Sequence, residues 1–208
     1  MKLYYAEGPS SRIVRMFAAE KKIFPELVSV NLIDGEHLQS EYLKKNSLGH
    51  VPCLEHNNKY FSETVAICEY LEELHPANPL LGRNIEERAV QRMWQRRIEL
   101  LVTENIYQSY KFSFGLEIYR SRIHCMPNAA EDFALAAQKN LKIIDQLIEN
   151  RTWVCGDYFS LADIILFCML DFGDKNGQLI DTGLLNINVW FATMMTRNST
   201  HSSLENKR

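Results

Sequence analysis

The sequence has no strong excess of charge of either sign. Its 208 residues include 23 lysines and arginines against 26 aspartates and glutamates, which gives a formal net charge of −3. Proteins that bind nucleic acids or anionic membranes usually carry a basic surface. We therefore expect neither a nucleic-acid partner nor a membrane partner. Hydrophobic residues make up 46% of the chain and charged residues 24%, which is typical of a globular protein with one or two packed domains.

A long hydrophobic run is also missing. The longest, residues 164–170, is far shorter than the roughly 18 residues that a membrane-spanning helix requires. The apolar stretch at the start of the chain is too short for a secretion signal, because Glu7, Gly8 and Pro9 end it. We therefore expect a cytoplasmic protein.

Cysteine and histidine are present, but without the spacing of a metal site. The sequence contains no C-x-x-C and no H-E-x-x-H motif, and His124-Cys125 has no second pair of ligands. An odd number of scattered cysteines also argues against a disulfide framework. We expect no metal, and we expect Cys53 to be a buried core residue because it lies in a strand-like apolar run. The five cysteines are Cys53, Cys68, Cys125, Cys155 and Cys168.

Residues 1–76 alternate between strand-like and helix-like patterns. Four short strand-prone runs are interleaved with two helical patterns. Asn57 and Asn58 join the last two runs, and asparagine tolerates the positive φ of a tight hairpin. This order predicts a βαβ unit, then a β-hairpin, then a helix. The strand-prone runs are residues 3–5, 27–32, 51–55 and 59–61, and the helical patterns begin near Arg12 and Ser62.

The pentapeptide HPANP at residues 75–79 interrupts this pattern, because its two prolines cannot lie inside a continuous helix. The rest of the chain shows only helical periodicity. Ser160 and Asp163 have the spacing of a capping box at the start of an apolar helix. The expected organisation is an α/β domain at residues 1–76, a linker at 77–83 and an all-α domain at 84–208.

Four segments of the sequence resemble motifs of the glutathione transferase family, and they occur in that family's order. The resemblance covers about residues 1–197 and is closest in wording to the theta, phi and yeast-like members. It implies a thioredoxin-like N-terminal domain followed by an all-helical C-terminal domain. The segments are SSRIVR at residues 10–15, GEH, EYL and NSLGHVP between residues 35 and 52, SETVAI at 62–67, and GDYFSLADI at 156–164.

The resemblance implies that a hydroxyl group near the start of the first helix stabilises the glutathione thiolate. Ser10 and Ser11 lie there, and a helix N-terminus together with a hydroxyl donor stabilises an anion. A serine at this position would equally serve as a simple helix cap. Tyr5 and Tyr4 are further candidates for the hydroxyl. Hydroxyl groups of the helical domain are another alternative, and these belong to Tyr107, Tyr110 and Ser113.

Other residues match positions that the family uses to bind glutathione. Val51-Pro52 resembles the family's cis-proline step, which implies that the main chain of Val51 pairs with the cysteinyl part of glutathione like an added strand. Glu63 and Thr64 resemble the pair that binds the γ-glutamyl end. Threonine replaces the commoner serine there and keeps the hydroxyl group. The alternative for both residues is helix capping.

Two histidines match positions that bind the glycyl carboxylate of glutathione. These are His37 and His50, and their attraction to a carboxylate depends on pH because histidine is only partly charged near pH 7. The neighbouring Leu38 departs from the family pattern, in which a lysine is common. The alternative is that both histidines are solvated surface residues.

The resemblance implies an enzyme in which the glutathione thiolate attacks a hydrophobic electrophile, with a role in detoxification and a homodimeric assembly. Glutathione is then a co-substrate, and no further cofactor is expected. The aromatic segment that contains Tyr107, Tyr110 and Ser113 is a candidate lining for the electrophile pocket, or else part of the core or of a dimer interface. No cysteine occurs between Tyr5 and Arg15, unlike in branches that form mixed disulfides with glutathione. The alternatives are a non-catalytic scaffold of this fold and a carrier of hydrophobic ligands.

Overall fold

The computed structural model describes residues 1–204 of the chain. Contacts between residues divide it into two compact units. The first unit contains Met1–Pro79 together with residues 197–204, and the second contains Leu80–Thr196. None of the described helices is long and apolar enough to span a membrane.

A four-stranded mixed sheet forms the centre of the first unit. Its strand order is β2-β1-β3-β4, in which β1 is parallel to β2 and antiparallel to β3, and β3 is antiparallel to β4. This confirms the predicted thioredoxin-like arrangement. β2 ends earlier than the predicted run at residues 27–32, because β1, with which it pairs, ends at Tyr5. The strands are β1 (Lys2–Tyr5), β2 (Glu26–Ser29), β3 (Cys53–His56) and β4 (Lys59–Ser62).

Helices make up most of the remaining described structure. The second unit is entirely helical apart from its loops and one isolated bridge, which confirms the predicted all-α half. Short 3₁₀ turns lie at Glu36–Leu38 and Pro127–Ala129, and a π-helical turn at Glu99–Thr103 joins α4 to α5. The α-helices within residues 1–204 are α1 (Pro9–Glu20), α2 (Ser40–Leu43), α3 (Thr64–Leu74), α4 (Ile85–Ile98), α5 (Glu104–Phe112), α6 (Leu116–Tyr119), α7 (Ala130–Leu147), α8 (Leu161–Lys175), α9 (Leu185–Met195) and α10 (Asn198–Ser202).

The turn between β3 and β4 has two residues in the left-handed conformation. Asn57 has a φ of 51° and Asn58 a φ of 59°, and the flanking residues His56 and Lys59 are paired. Two positive φ angles are typical of a type I′ turn, whose twist matches that of the paired strands. This confirms the hairpin that the two asparagines predict.

Helices α1 and α3 pack against each other and supply much of the core of the first unit. Ile13, Val14 and Phe17 of α1 are buried, as are Ile67 and Leu71 of α3. These positions recur at the three- and four-residue spacing of one helix face. The two helices are therefore held together by apolar burial.

The residues after Thr196 group with the first unit, whereas the sequence pattern places them in the helical domain at residues 84–208. Their contacts explain the difference, because α10 packs against α1. The Arg197 guanidinium also forms two hydrogen bonds with the Glu20 carboxylate. Contacts of this kind link residues about 180 positions apart, which no local pattern can reveal.

The second unit is organised around α8, whose residues 161–170 are all buried. Ser160 and Asp163 form the predicted capping box at its start. The buried Asp163 carboxylate accepts hydrogen bonds from the main-chain N–H groups of Val154 and Ser160, from the Ser160 hydroxyl and from the Trp190 indole. Burial raises the pKa of Asp163 to about 6, against the opposing effect of these donors.

Candidate active site

Four chain segments meet at one end of the sheet in the first unit, where β1, β2 and β4 end and β3 begins. The end of β1 lies beside the start of β3, because Tyr4 pairs with Cys53. Cys53 also pairs with Ser62, the last residue of β4, and β2 runs parallel to β1. The start of α1, the segment after β2, the Val51-Pro52 step and the start of α3 therefore all lie at this end. We call it the sheet-end site.

Helix α1 begins at Pro9, three residues before the start that the sequence pattern predicts. Gly8 occupies the N-cap position and no side chain caps the helix, so the interpretation of Ser10 or Ser11 as a simple cap is wrong. The Ser11 side chain is buried, and its Oγ accepts a hydrogen bond from the Ala6 N–H at 3.4 Å. The Ser10 side chain is half-buried. Of the two hydroxyl groups, Ser10 is therefore the more accessible.

Gly8 is a site residue that the sequence analysis missed. Its φ of 145° is one that residues with a side chain rarely adopt. A Cβ atom at this position would meet no other atom within 4 Å, so open space lies beside the start of α1. The signal for it was the Gly-Pro pair, because proline favours the first position of a helix and glycine tolerates the turn before it.

The two tyrosines at the end of β1 have different environments. The Tyr4 hydroxyl donates a hydrogen bond of 2.6 Å to the Glu55 carboxylate. Burial, followed by this contact, raises the pKa of Tyr4 well above its usual value. Tyr5 is half-buried, and the Arg15 guanidinium carbon lies 5.0 Å from the centroid of its ring. Of the two hydroxyl groups, that of Tyr4 is thus already engaged with an acceptor.

The Val51-Pro52 peptide bond is cis, which confirms the predicted geometry. Within residues 1–204, the main-chain N–H and C=O of Val51 form no hydrogen bond. The preceding carbonyl, that of His50, accepts hydrogen bonds from the Tyr42 hydroxyl at 2.7 Å and the Asn46 side chain at 2.8 Å. The loop is therefore anchored just before a residue whose main chain can pair with an extended peptide.

Glu63 lies at the N-cap of α3 with a φ of 69° and a ψ of 119°. Such an angle strains a residue that carries a Cβ, and strained residues are concentrated at functional sites. The Glu63 side chain is exposed, and Thr64, the first residue of the helix, is half-buried. No side chain caps α3. The alternative interpretation of these residues as side-chain caps is therefore wrong, and the first N–H groups of the helix are left for another acceptor.

The two candidate histidines differ in exposure. His37 is only 4% exposed, so its interpretation as a solvated surface residue is wrong, whereas His50 is exposed. A Cβ on Gly49 would lie 2.9 Å from the His37 carbonyl oxygen, which shows that the 3₁₀ turn packs closely on the loop before Val51. Both histidines therefore belong to the segment that leads into the cis-proline step. Their predicted contact with the glycyl carboxylate stays a prediction.

The sheet-end site combines two helix N-termini without side-chain caps, those of α1 and α3. Each supplies partial positive charge and N–H donors, which together favour a bound anion. No group of three or more His, Cys, Asp or Glu within the described part of the chain has the arrangement of a metal site. Cys53 is fully buried beneath the site, as predicted, and burial raises the pKa of its thiol to about 11. The arrangement suits a ligand with more than one negative group.

The candidate pocket residues of the second unit lie in and just after α5. The Phe172 ring of α8 contacts Tyr107 and Tyr110, with ring centroids 5.8 and 4.7 Å apart respectively. Burial raises the pKa of Tyr110. Ser113 is exposed and its hydroxyl donates to the Ser109 carbonyl of the same helix at 2.6 Å. The two tyrosines therefore belong to one aromatic cluster around Phe172. The Ser113 hydroxyl proton is already used in a hydrogen bond to the main chain of α5.

Comparisons with known proteins show which family the chain resembles. The family model for the glutathione S-transferase N-terminal domain matches residues 3–79, and that for the C-terminal domain matches residues 127–198. Glutathione S-transferase 2 of Saccharomyces cerevisiae is 30% identical over 206 residues, which cover 95% of this chain and 86% of the relative. A maleylacetoacetate isomerase of Pseudomonas aeruginosa is 32% identical over 185 residues, covering 87% and 85%.

A solved structure supports the same assignment over nearly the full length. The crystal structure of Gtt2 from Saccharomyces cerevisiae superposes with a TM-score of 0.89 at 28% identity, and the match covers 98% of this chain and all of the other. Both halves of the chain therefore match in sequence and in fold. The protein is a member of the glutathione transferase family.

Proposed function

We propose that the protein is a glutathione transferase that binds one glutathione at the sheet-end site and directs its thiolate at a hydrophobic electrophile. The observation that supports this most strongly is the convergence of two uncapped helix N-termini on either side of the unpaired Val51 main chain. Glutathione is a short peptide with a carboxylate at each end and a thiol between them. Its charges and its main chain suit these three features.

Each part of glutathione has a proposed partner. The γ-glutamyl carboxylate binds the first N–H groups of α3 and the Thr64 hydroxyl, while the Glu63 carboxylate binds the amino group. The cysteinyl main chain pairs with Val51 beside Pro52. The thiolate lies at the start of α1, where Ser10 supplies the hydroxyl donor. The residues that we assign less direct roles are Ser11, which holds the turn before α1, Tyr5 as the second candidate donor, and His37 and His50 near the glycyl carboxylate.

The proposed chemistry is thiol ionisation followed by nucleophilic attack. A free thiol has a pKa near 8.5, and lowering it by about two units stabilises the thiolate by roughly 2.7 kcal/mol. The dipole and N–H groups of α1 and one hydroxyl donor supply this stabilisation. The proton passes to solvent, and the sulfur forms a bond to the electrophilic carbon. In a substitution the leaving group departs with the electron pair of its bond, and in an addition the π electron pair moves to a neighbouring atom, which takes up a proton from solvent. Such a reaction uses glutathione as co-substrate and requires no further cofactor.

The electrophile is proposed to be hydrophobic and to contact the aromatic cluster of Tyr107 and Tyr110, with Ser113 nearby in the chain. These half-buried rings provide apolar surface of the kind that binds small aromatic compounds. A cytoplasmic homodimer that removes toxic electrophiles is the setting that we propose for the activity. A panel of electrophiles that includes maleylacetoacetate would separate conjugation from isomerisation.

Calorimetric titration of the purified protein with glutathione tests the proposal. We expect saturable binding at one site per chain, and weaker binding in the variants Thr64→Ala and Glu63→Ala. Thr193→Ala is the matched control, because Thr193 is an exposed threonine in α9 of the other unit. No binding to the wild-type chain at millimolar glutathione would overturn the proposal and favour a scaffold. Binding of hydrophobic dyes without any turnover would favour a carrier.

A further inference from the structure

Residues 197–203, which we call the C-terminal strap, are bound along α1. At one end of the strap, the Arg197 guanidinium donates two hydrogen bonds of 2.8 Å to the two oxygens of the Glu20 carboxylate. The Ser199 hydroxyl donates to the same carboxylate. Bidentate pairing of this kind fixes orientation as well as position. The strap is thereby anchored at the C-terminal end of α1.

At the other end, the strap binds the side chain of Arg12. This residue is only 7% exposed, and its N–H makes a main-chain hydrogen bond of α1, to the Gly8 carbonyl at 3.2 Å. The guanidinium donates from Nε to the Ser203 hydroxyl and from Nη2 to the Thr200 carbonyl, each at 3.4 Å. A buried charge is costly unless hydrogen bonds compensate it. The hydrogen bonds to the strap therefore offset part of the free-energy cost of burying the Arg12 charge.

Arg12 directly follows the two serines of the proposed thiolate site. Any shift of its side chain is transmitted to the first turn of α1, because the residue is part of that turn. We propose that the C-terminal strap, acting through Arg12, holds the first turn of α1 in the position that stabilises the bound glutathione thiolate. Arg12 is then a positioning residue for thiol activation. This inference rests on the proposed function.

Arg12 can act on the thiolate in two ways, by positioning the first turn of α1, as we propose, or by its charge alone. Its planar guanidinium donates to the two acceptors from two different nitrogens at fixed directions, a geometry that the single ammonium group of lysine does not have. It also contributes a buried positive charge to the helix end where the anion binds, and a nearby opposite charge favours the ionised form. The variants Arg12→Lys and Arg12→Gln separate these effects, since only the first keeps the charge. Ser203→Ala removes one acceptor and leaves Arg12 itself intact.

Lys21 provides a matched control on the same helix. Its side chain is fully buried and binds the Ala77 and Asn78 carbonyls at 2.7 and 3.1 Å, next to Glu72. Like Arg12, it is a buried cation that holds a later chain segment, but it lies at the C-cap of α1. It lies nine residues further along, which is about 13 Å away on the helix axis. Lys21→Met should therefore destabilise the fold without disturbing the thiolate site.

The experiment measures the pH dependence of thiolate absorbance for glutathione bound to each variant, together with the dissociation constant and the melting temperature. For Arg12→Lys and Arg12→Gln we expect the pKa of the bound thiol to rise by about half a unit to one unit, and for Ser203→Ala by a smaller amount in the same direction. The Lys21→Met variant should lose melting temperature with an unchanged thiol titration.

The possible outcomes are distinct. Thiol titrations that match the wild type in all three strap variants, with melting temperatures lowered as in Lys21→Met, would show that the strap is structural only and overturn the inference. A shift in Arg12→Gln alone would also overturn it, because charge rather than position would then be responsible. Failure of the wild-type protein to bind glutathione would instead overturn the proposed function and, with it, this inference.

Discussion

Replacing Glu63 by glycine should make the protein more stable and at the same time weaken glutathione binding. Glu63 has a φ of 69° and an exposed side chain, so its backbone is strained while its side chain is not needed for packing. Glycine adopts positive φ without a steric penalty. The carboxylate that we assign to the amino group of glutathione is lost in the same step. Stability and binding should therefore change in opposite directions.

The magnitudes follow from comparing Glu63→Gly with Glu63→Ala, since both variants lack the carboxylate and only alanine keeps the Cβ. A positive φ costs a residue with a Cβ roughly 1–2 kcal/mol, and glycine loses roughly 0.5–1 kcal/mol of extra backbone entropy on folding. The glycine variant should thus be more stable than the alanine variant by about 0.75 kcal/mol, the middle of a range that extends up to roughly 1.5 kcal/mol. Loss of a hydrogen bond to a charged group costs about 1.5–3 kcal/mol, so both variants should bind glutathione at least about tenfold more weakly.

Urea unfolding followed by tryptophan fluorescence gives the stabilities, and calorimetric titration gives the affinities. Glu63→Gln serves as a further control, because it keeps the Cβ and the size of the side chain but removes the charge. A glycine variant that is no more stable than the alanine variant would refute the assignment of strain to this residue. Wild-type affinity for glutathione in both variants would refute the role of the Glu63 carboxylate.

Three further predictions concern buried groups. Burial raises the pKa of Asp163 to about 6, compared with roughly 3.9 in an unfolded chain. The folded state therefore binds this proton more tightly, which stabilises it by about 3 kcal/mol below about pH 4. This contribution to the free energy of unfolding is lost as the pH rises from about 4 to about 6. Asp163→Asn should flatten that part of the pH profile in urea unfolding; an unchanged slope would contradict the pKa. Ser11→Ala should lower the free energy of unfolding by about 1 kcal/mol, because the Ala6 N–H loses its acceptor, and equal stability would show that water replaces it. Cys53 should react with a thiol reagent at pH 8 far more slowly than the partly exposed Cys125, as mass spectrometry of partly labelled native protein would show; equal labelling would contradict its burial.

Local sequence patterns predict several elements of the fold correctly. The paired asparagines at 57 and 58 predict the hairpin turn because each favours positive φ without help from the rest of the chain. The Ser160 and Asp163 spacing predicts the start of α8, since a capping box involves only one turn of helix. Each of these signals depends on interactions between residues close in sequence. The predicted local structures are present in the folded protein because its tertiary packing favours the same conformations.

Other features could not be predicted from neighbouring residues. The sequence pattern predicts the start of α1 at Arg12 because Ser-Ser is a good cap, whereas Gly8 is the N-cap, Pro9 is the first helical residue and the serines lie inside the helix. His37 was compatible with a surface position, yet its turn packs on the loop before Val51 and buries it. Burial depends on which segments come together, and a histidine has no sequence signature that distinguishes the two cases.

The sequence by itself determined the order of the strands and helices and the residue types available for anion binding, because capping, turn formation and amphipathic periodicity act over a few residues. Only the tertiary structure decided which of these residues meet. The register of β1, β3 and β4 brings the starts of α1 and α3 and the Val51-Pro52 step to one end of the sheet, and the strap reaches Arg12 across nearly the whole chain. Such contacts depend on strand pairing, packing and hydrogen bonds between segments far apart in the chain, which no short segment encodes by itself.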